Sequence, residues 1–248
     1  MAHAAAPAQL QRKNRIATAA SVTHALHPPP PQTRPMLTLF DYLPSQNAWK
    51  VRQLLHHLAT PYRTVPVSIF EGEGKTPAFL RISPTGTVPA IQLDDGRTLA
   101  ESNAILAWLA DGTPYLPADT FQRAKVQQWL CFEQERVESV IGALRYWTMT
   151  GKLARRLPEL IDAKRHSAER TLATLERELA SRPFIAGNDY TIADIALFAY
   201  GSRVEEAGIS LEPYPQLRRW IGRIEVQPRF LATMPSYGID PHSARDLP

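Results

Sequence analysis

The sequence predicts an α/β unit followed by an all-helical one. Alternating, β-prone runs punctuated by helical spacing give the order strand, helix, strand, helix, strand, strand, helix by Leu109. From residue 120 onward apolar residues recur at helical spacing only. The α/β part is a mixed sheet with helices on its faces, and the rest packs helix on helix.

Leu37 to Tyr42 alternates and reads as a strand, closed by the turn cluster Leu43-Pro44-Ser45-Gln46-Asn47. Ala48, Val51, Leu54, Leu55 and Leu58 fall on one helical stripe, with Ser45 and Asn47 both good N-caps. Pro61–Val67 reads as an edge strand, because Pro66 has no N–H for a ladder. A loop, 71–75, and a short helix, 76–82, lead to a strand at Ala90–Leu93, an Asp-Gly turn at 95–96 and a return strand at 98–100. Glu101-Ser102-Asn103 opens the next helix. The second half predicts one long helix over 120–147, bent at Gly142, then helices over 157–179, from Thr191, and over 215–224. Thr191-Ile192-Ala193-Asp194 is a capping-box-like start to a nearly continuous apolar run, as expected of a central helix.

The 248 residues suffice for one large or two small domains. Residues 1–35 hold four of the 28 Lys and Arg and none of the 24 Asp and Glu, so 36–248 is balanced in charge. The basic pI belongs to the leader, which argues against a nucleic-acid-binding body. The leader is rich in Ala and Pro and reads as a start codon placed too early (Met36 being the true start), a disordered tail or a transit peptide. No apolar run approaches a membrane span. The single cysteine, Cys131, excludes an internal disulfide framework, fits a reducing cytoplasmic address and reads as a buried structural thiol. His56 and His57 are adjacent and the other histidines scattered, so no metal site is expected.

Four markers in order carry a family resemblance: Thr87-Val88-Pro89 before a strand, Glu101-Ser102 opening a helix, Thr-Ile-Ala-Asp-Ile-Ala at 191–196, and Tyr-Pro-x-Leu-x-x-Trp at 214–220. The chain resembles the cytosolic glutathione S-transferase superfamily from Leu37 to about Phe230. The resemblance implies a thioredoxin-like, glutathione-binding domain at 36–112, a linker at 113–119, an all-helical domain at 120–235 and a tail at 236–248. It also implies a detoxification enzyme, cytoplasmic and homodimeric, with glutathione as co-substrate and no metal, nucleic acid or membrane partner. Pro-Ser-x-Asn at 44–47 resembles the bacterial nu-type pattern Pro-Thr-x-Asn, whose members reduce disulfides with glutathione. Asn47 to Arg52 resembles zeta-type maleylacetoacetate isomerases, whose Ser-Ser-Cys run is absent here, which counts against isomerisation.

The resemblance implies a cis Pro89 that presents the Val88 N–H and C=O to the cysteinyl backbone of glutathione, as in strand addition. At a helix N-terminus, where an anionic group is favoured, Ser102 and Glu101 suit the carboxylate and ammonium of the γ-glutamyl end; as plain sequence they are a cap and its neighbour. Lys75 is placed to hold the glycine carboxylate, or is a solvated loop lysine. Ser45 and Asn47 combine donors with a helix N-terminus, the setting that favours a thiolate, although the same residues serve as caps. Tyr42 lies too early on the strand to activate a thiol. No Cys-x-x-Cys occupies the turn, so the sulfur comes from glutathione. Phe132, Arg145, Tyr146 and Trp147 are candidates for the second-substrate wall, in competition with ordinary core roles. The leading reading is a glutathione transferase acting on an electrophile or a disulfide; the alternative is a non-catalytic binding module on the same fold.

Overall fold

A computed structural model of the protein describes residues 1–3 and 36–248. The reading of the leader otherwise lies outside the described residues. Strand β1 (Leu37–Asp41) is followed by α1 (Gln46–His57), β2 (Tyr62–Pro66), α2 (Pro77–Leu80), β3 (Ala90–Leu93), β4 (Thr98–Ala100) and α3 (Ser102–Ala110). The sheet order is β2-β1-β3-β4. β1 pairs with β2 in parallel, Leu37 opposite Tyr62, and with β3 antiparallel, Leu37 opposite Leu93. Pro66 sits on the edge strand, where a missing donor is tolerated.

The helical half comprises α4 (Thr120–Phe132), a π-helical segment (Glu133–Gly142), α5 (Ala143–Met149), α6 (Pro158–Leu179), α7 (Ile192–Gly201) and α8 (Pro215–Glu225). The single bent helix expected over 120–147 is therefore α4, a widened stretch and α5. The wider turn lines up residues four apart, and Glu133, Val137 and Ile141 all become buried. Gly142 ends the widened stretch and is where Tyr200 approaches; a Cβ there would lie 2.8 Å from the Tyr200 ring. Cys131 is exposed, contrary to expectation. It stands one position off the buried stripe of Val126, Trp129, Leu130 and Glu133.

Every residue of α7 is buried, as its continuous apolarity predicts. Its capping box forms, and Asp194 does more than cap. Fully buried, its carboxylate accepts from Thr191 N (3.0 Å), Thr191 Oγ1 (3.2 Å), Ile185 N (2.8 Å) and Trp220 Nε1 (2.9 Å). One side chain thus ties the start of α7 to α8 and to the preceding loop.

Helix α1 is buried on nearly every side between the sheet and the helical half. Lys50 and Glu133 meet at 2.8 Å with neither side chain exposed. Asn103 donates to Glu133 at 2.9 Å, and the Lys50 ammonium lies 5.3 Å from the Tyr200 ring centroid. Beyond α8 the chain returns over α1: Leu231 N donates to Gln53 Oε1 (2.7 Å), and Trp49 Nε1 donates to Leu231 O (3.1 Å). The expected tail, 236–248, is a strap lying on the α/β half, with Asp240 accepting from Tyr42 Oη at 2.8 Å and no residue of the strap fully buried. Among the described residues no helix is long and apolar enough to cross a membrane.

Glu133→Gln or Lys50→Met should each cost about 3–5 kcal/mol, because the remaining partner keeps its buried polar demand. The double change Lys50→Met with Glu133→Leu should recover much of that loss; equal midpoints for single and double variants in urea would refute the coupling. Burial pushes the Asp194 carboxyl up to about 6 while its four donors pull it back. A carboxyl that binds its proton more readily in the fold adds stability below its ordinary 3.8, and that increment is lost as pH rises through about 6. Asp194→Ala should abolish this pH dependence and cost about 3 kcal/mol at pH 7 by orphaning buried donors. An unchanged denaturation midpoint would contradict it.

Candidate functional site

The turn between β1 and α1 is rigid before any ligand is considered. Arg52, buried in α1, approaches both oxygens of Asp41 with Nη1 (2.6 and 2.7 Å) and donates from Nη2 to Leu43 O (2.9 Å). With one guanidinium nitrogen on the carboxylate and the other on a main-chain carbonyl, the charge-assisted contact fixes orientation as well as adding energy. Ser45 caps α1 by accepting from Ala48 N at 3.2 Å. Capping uses its lone pair, so the hydroxyl hydrogen stays available to an acceptor. Cap and donor roles are compatible in one residue.

Asn47 is oriented from two sides. Its Nδ2 donates to Glu138 Oε1 at 2.6 Å, and its Oδ1 accepts from Ser102 Oγ at 3.4 Å. With the carbonyl facing Ser102 and one N–H on Glu138, the second N–H remains. Glu138 belongs to the π-helical segment; its other oxygen accepts from Gln134 and lies 3.9 Å from Lys50 Nζ. The helical half therefore sets the attitude of a side chain on α1.

The opposite wall is a pair of loops in close contact. A Cβ on Gly74 would lie 2.4 Å from Gly86 O, and one on Gly86 would lie 2.4 Å from Gly74 O, so glycine is required at both. Buried Ser83 Oγ donates to Thr87 O (2.9 Å) and accepts from Thr87 N (3.2 Å), while Lys75 Nζ donates to Thr85 O (3.2 Å). The Val88–Pro89 peptide is cis. Among the described residues neither the Val88 N–H nor its C=O has a hydrogen-bond partner, and both are left free beside β3 in the manner of an open strand edge. Glu101 adopts φ 68°, a left-handed conformation that a side-chain-bearing residue keeps only where its surroundings impose it. It leads into Ser102, which is 4% exposed.

A cavity of about 210 Å³ joins these parts, lined by Ser45, Asn47, Lys75, Val88, Tyr42 and Tyr237 among others. Glu101 and Ser102 reach this group through the Ser102–Asn47 contact. Tyr42 is a wall. Burial and the bond to Asp240 push its phenol up, so it stays protonated. The expected second-substrate wall divides. Arg145 and Tyr146 back the cavity through Tyr237: the Arg145 guanidinium lies 5.4 Å and the Tyr146 ring 5.6 Å from the Tyr237 ring centroid. Phe132 packs on Trp129 at 5.2 Å, and Trp147 lies between Arg156 and Lys164 at 5.0 and 5.7 Å; neither lines the cavity. Trp147 is one residue, about 100°, around the helix from Tyr146 and so faces α6. Sequence reasoning missed Glu138, Tyr237 and the strap residues Leu247 and Pro248, which also line the cavity. Among the described residues no three His, Cys, Asp or Glu side chains converge as a metal site.

Residues 44–111 match the family model of the glutathione S-transferase N-terminal domain, and residues 158–223 match that of its C-terminal domain. The chain is 30% identical over 200 residues to the disulfide-bond oxidoreductase YfcG of Escherichia coli, covering 78% of this chain and 92% of the relative. It is 27% identical over 210 residues to the maleylacetoacetate isomerase of Pseudomonas aeruginosa, covering 81% and 96%. Among solved structures it resembles a glutathione transferase family member from Pseudomonas fluorescens with two glutathione bound, at a TM-score of 0.69 and 28% identity, covering 81% and 92%. The two matched domains, in this order on a four-stranded mixed sheet followed by helices, establish that the chain belongs to the glutathione S-transferase family.

Proposed function

We propose that this protein binds glutathione in the cavity between the β1–α1 turn and the Val88 loop, stabilises its thiolate with Ser45 and Asn47, and uses it on an electrophilic carbon or a disulfide. The observation that carries the reading is one cavity that combines the free Val88 N–H and C=O with two hydrogen-bond donors at the N-terminus of α1. A tripeptide backbone matches the first, and a thiolate sulfur the second. On this reading Ser102 and Glu101 take the γ-glutamyl end and Lys75 the glycine carboxylate. The assignment divides the chain into a glutathione-binding part at 36–112, a linker at 113–119 and a second-substrate part at 120–235.

Glutathione supplies the nucleophilic sulfur when bound. The chain's own work is to orient it and to favour its charged form. The Ser45 hydroxyl and the remaining Asn47 N–H are the donors, and Glu138 keeps the amide from turning. No cysteine stands in the β1–α1 turn to run a dithiol cycle. The relative named a disulfide-bond oxidoreductase supports disulfide exchange. The missing Ser-Ser-Cys run speaks against isomerisation, although one relative is a named isomerase. A cytoplasmic C2 homodimer completes the reading, isologous dimers being the commonest oligomer.

Ultraviolet absorbance of bound thiolate near neutral pH tests this directly. The wild type should show the thiolate signal, and Ser45→Gly or Asn47→Ala should move the pH at which it appears up by about one unit. Glycine is the informative change at Ser45, since it removes the hydroxyl while costing the cap only a few tenths of a kcal/mol. Binding without thiolate, or no binding, would favour the non-catalytic module. Ser102→Ala should instead weaken glutathione binding by about tenfold in calorimetry, the worth of one hydrogen bond to a charged group, and leave the thiolate signal at saturation intact. Unchanged affinity would remove Ser102 from the site.

A further inference from the structure

Lys152 is a buried cation with no acid of its own. Its side chain is fully buried. The ammonium donates to Tyr146 Oη and to Ser243 O, both at 2.8 Å, and lies over the Phe70 and Tyr146 rings, 4.9 and 4.6 Å from their centroids. Among the described residues no carboxylate comes within 4.0 Å of it. Asp246, the acid that acts on it from further off, is exposed and pairs with Arg155 at 3.7 Å. Both hydrogen-bond acceptors of Lys152 are thus neutral, and the third N–H has no partner. Burying an ammonium on such terms is costly, and aromatic faces offset only part of it. Desolvation accordingly lowers its pKa.

Two further observations give this cation a setting. First, it lies against an aromatic ring circuit that ends in the cavity. Phe70 stacks on Tyr146 at 6.5 Å and meets Tyr42 edge-on at 5.9 Å; Tyr237 lies 6.3 Å from Tyr42 and 5.6 Å from Tyr146. Tyr42 and Tyr237 share the cavity with Ser45 and Asn47. Second, what covers Lys152 is the strap. The strap is held by polar contacts: Ser243 O on Lys152, Asp240 on Tyr42, and His242 on exposed Glu71 at 3.3 Å. Ile239 and Leu247 remain 59% and 50% exposed. Tyr237 is the one ring of the strap that packs inward, against Tyr42 and Tyr146; the residues beyond it are held chiefly by these exchangeable contacts, and such a segment opens at low cost.

We propose that Lys152 anchors a second-substrate subsite for flat, carboxylate-bearing electrophiles, the ligand's carboxylate taking the place of the Ser243 carbonyl as the strap lifts. An ionised acceptor makes a hydrogen bond roughly twice as strong as a neutral one, which favours the exchange. From Lys152 the flat body extends past the Phe70 and Tyr146 edge of the ring circuit toward Tyr42 and Tyr237, which share the cavity with Ser45. This inference rests on the reading that the sulfur of glutathione is held at Ser45 and Asn47. With an aryl chloride as substrate, the carbon–sulfur bond forms, the carbon–chlorine bond breaks with its pair leaving on chloride, and the thiol proton passes to solvent.

The test is calorimetry on the full chain saturated with S-methylglutathione, which has no thiol and so reports binding alone. The probes are 4-chloro-3-nitrobenzoate and its neutral amide. The wild type should bind the acid at least tenfold more tightly than the amide; Lys152→Met should lose that preference and Lys152→Arg should keep most of it. Hydrogen exchange of residues 236–248 should rise when the acid binds. Equal affinities for acid and amide in the wild type, or an equal loss of both in Lys152→Met with an unchanged melting temperature, would overturn the proposal. If Lys152→Met fails to fold, Lys152→Arg and the exchange of the strap decide: a strap whose protection does not fall on acid binding also overturns it. Failure of S-methylglutathione to bind would strike the glutathione reading, and the acid-over-amide comparison without it would still judge Lys152.

Discussion

The contact between Lys50 and Glu133 sets the frame for the rest of the molecule. Neither side chain touches solvent, and each comes from a different half of the chain. Burial pushes the Glu133 carboxyl up, and the Lys50 ammonium opposes that shift. A pair of this kind earns little net stability, because desolvation consumes most of the attraction. What it supplies is register. An ammonium and a carboxylate withdrawn from water have to meet, and Asn103 on α3 adds a third party through its bond to Glu133. Helix α1, helix α3 and the π-helical segment are therefore locked in one relative position, whatever the apolar side chains around them would tolerate.

The site inherits that register. Glu138 stands one wide turn beyond Glu133, with Asn47 on one oxygen and Lys50 close to the other. In a regular α-helix residues five apart diverge by more than a quarter turn. The widened segment lets both carboxylates face α1. The geometry links backbone hydrogen bonding in the helical half to the attitude of one amide in the α/β half. π segments are often found at functional sites, and here the reason is local and visible. The Asn47 amide in turn meets Ser102, so the N-termini of α1 and α3 are joined by side chains.

What was legible in the sequence was local or tied to a motif. The strands, the edge position of Pro66 and the capping box at Thr191 are set by residues next to one another, whereas the cis peptide before Pro89 is implied only by the family resemblance. Ser45 and Asn47 could be picked out because a helix start confines their side chains to a small space. The misses are long-range. Nothing near Glu138 announces a partner 91 residues earlier, nor does the sequence around Ser243 announce Lys152. The widening over 133–142 escaped because the same apolar residues also fit helical spacing; the approach of Tyr200 to Gly142 is a tertiary fact. Cys131 was misplaced for a related reason: a single apolar-like residue in an amphipathic helix carries no phase of its own, and here it falls on the exposed side. Phe132 ends α4 and Trp147 lies in α5 beyond the widened stretch, and rotation about each axis decides which face reaches the cavity.

A thiolate at a helix N-terminus gains most from dipoles and donors when water is kept away, since screening weakens both. On the proposed reading a peptide and a second substrate nevertheless have to enter. A buried apolar cover would exclude water at the expense of access, and an open cleft would do the reverse. The strap uses a different kind of hold. Its contacts are a phenol on a carboxylate, an ammonium on a carbonyl and an imidazole on an exposed acid, each of which water or a ligand can replace. Only Tyr237 reaches deeply, lying against Arg145, Tyr42 and Tyr146. A cover attached by exchangeable polar groups and steadied by one ring has a low opening cost, and a substrate that supplies better partners for those same groups opens it selectively. Among the contacts of the strap, the Ser243 carbonyl on buried Lys152 stands to gain most from such an exchange, because it is the one where a neutral acceptor faces a desolvated charge.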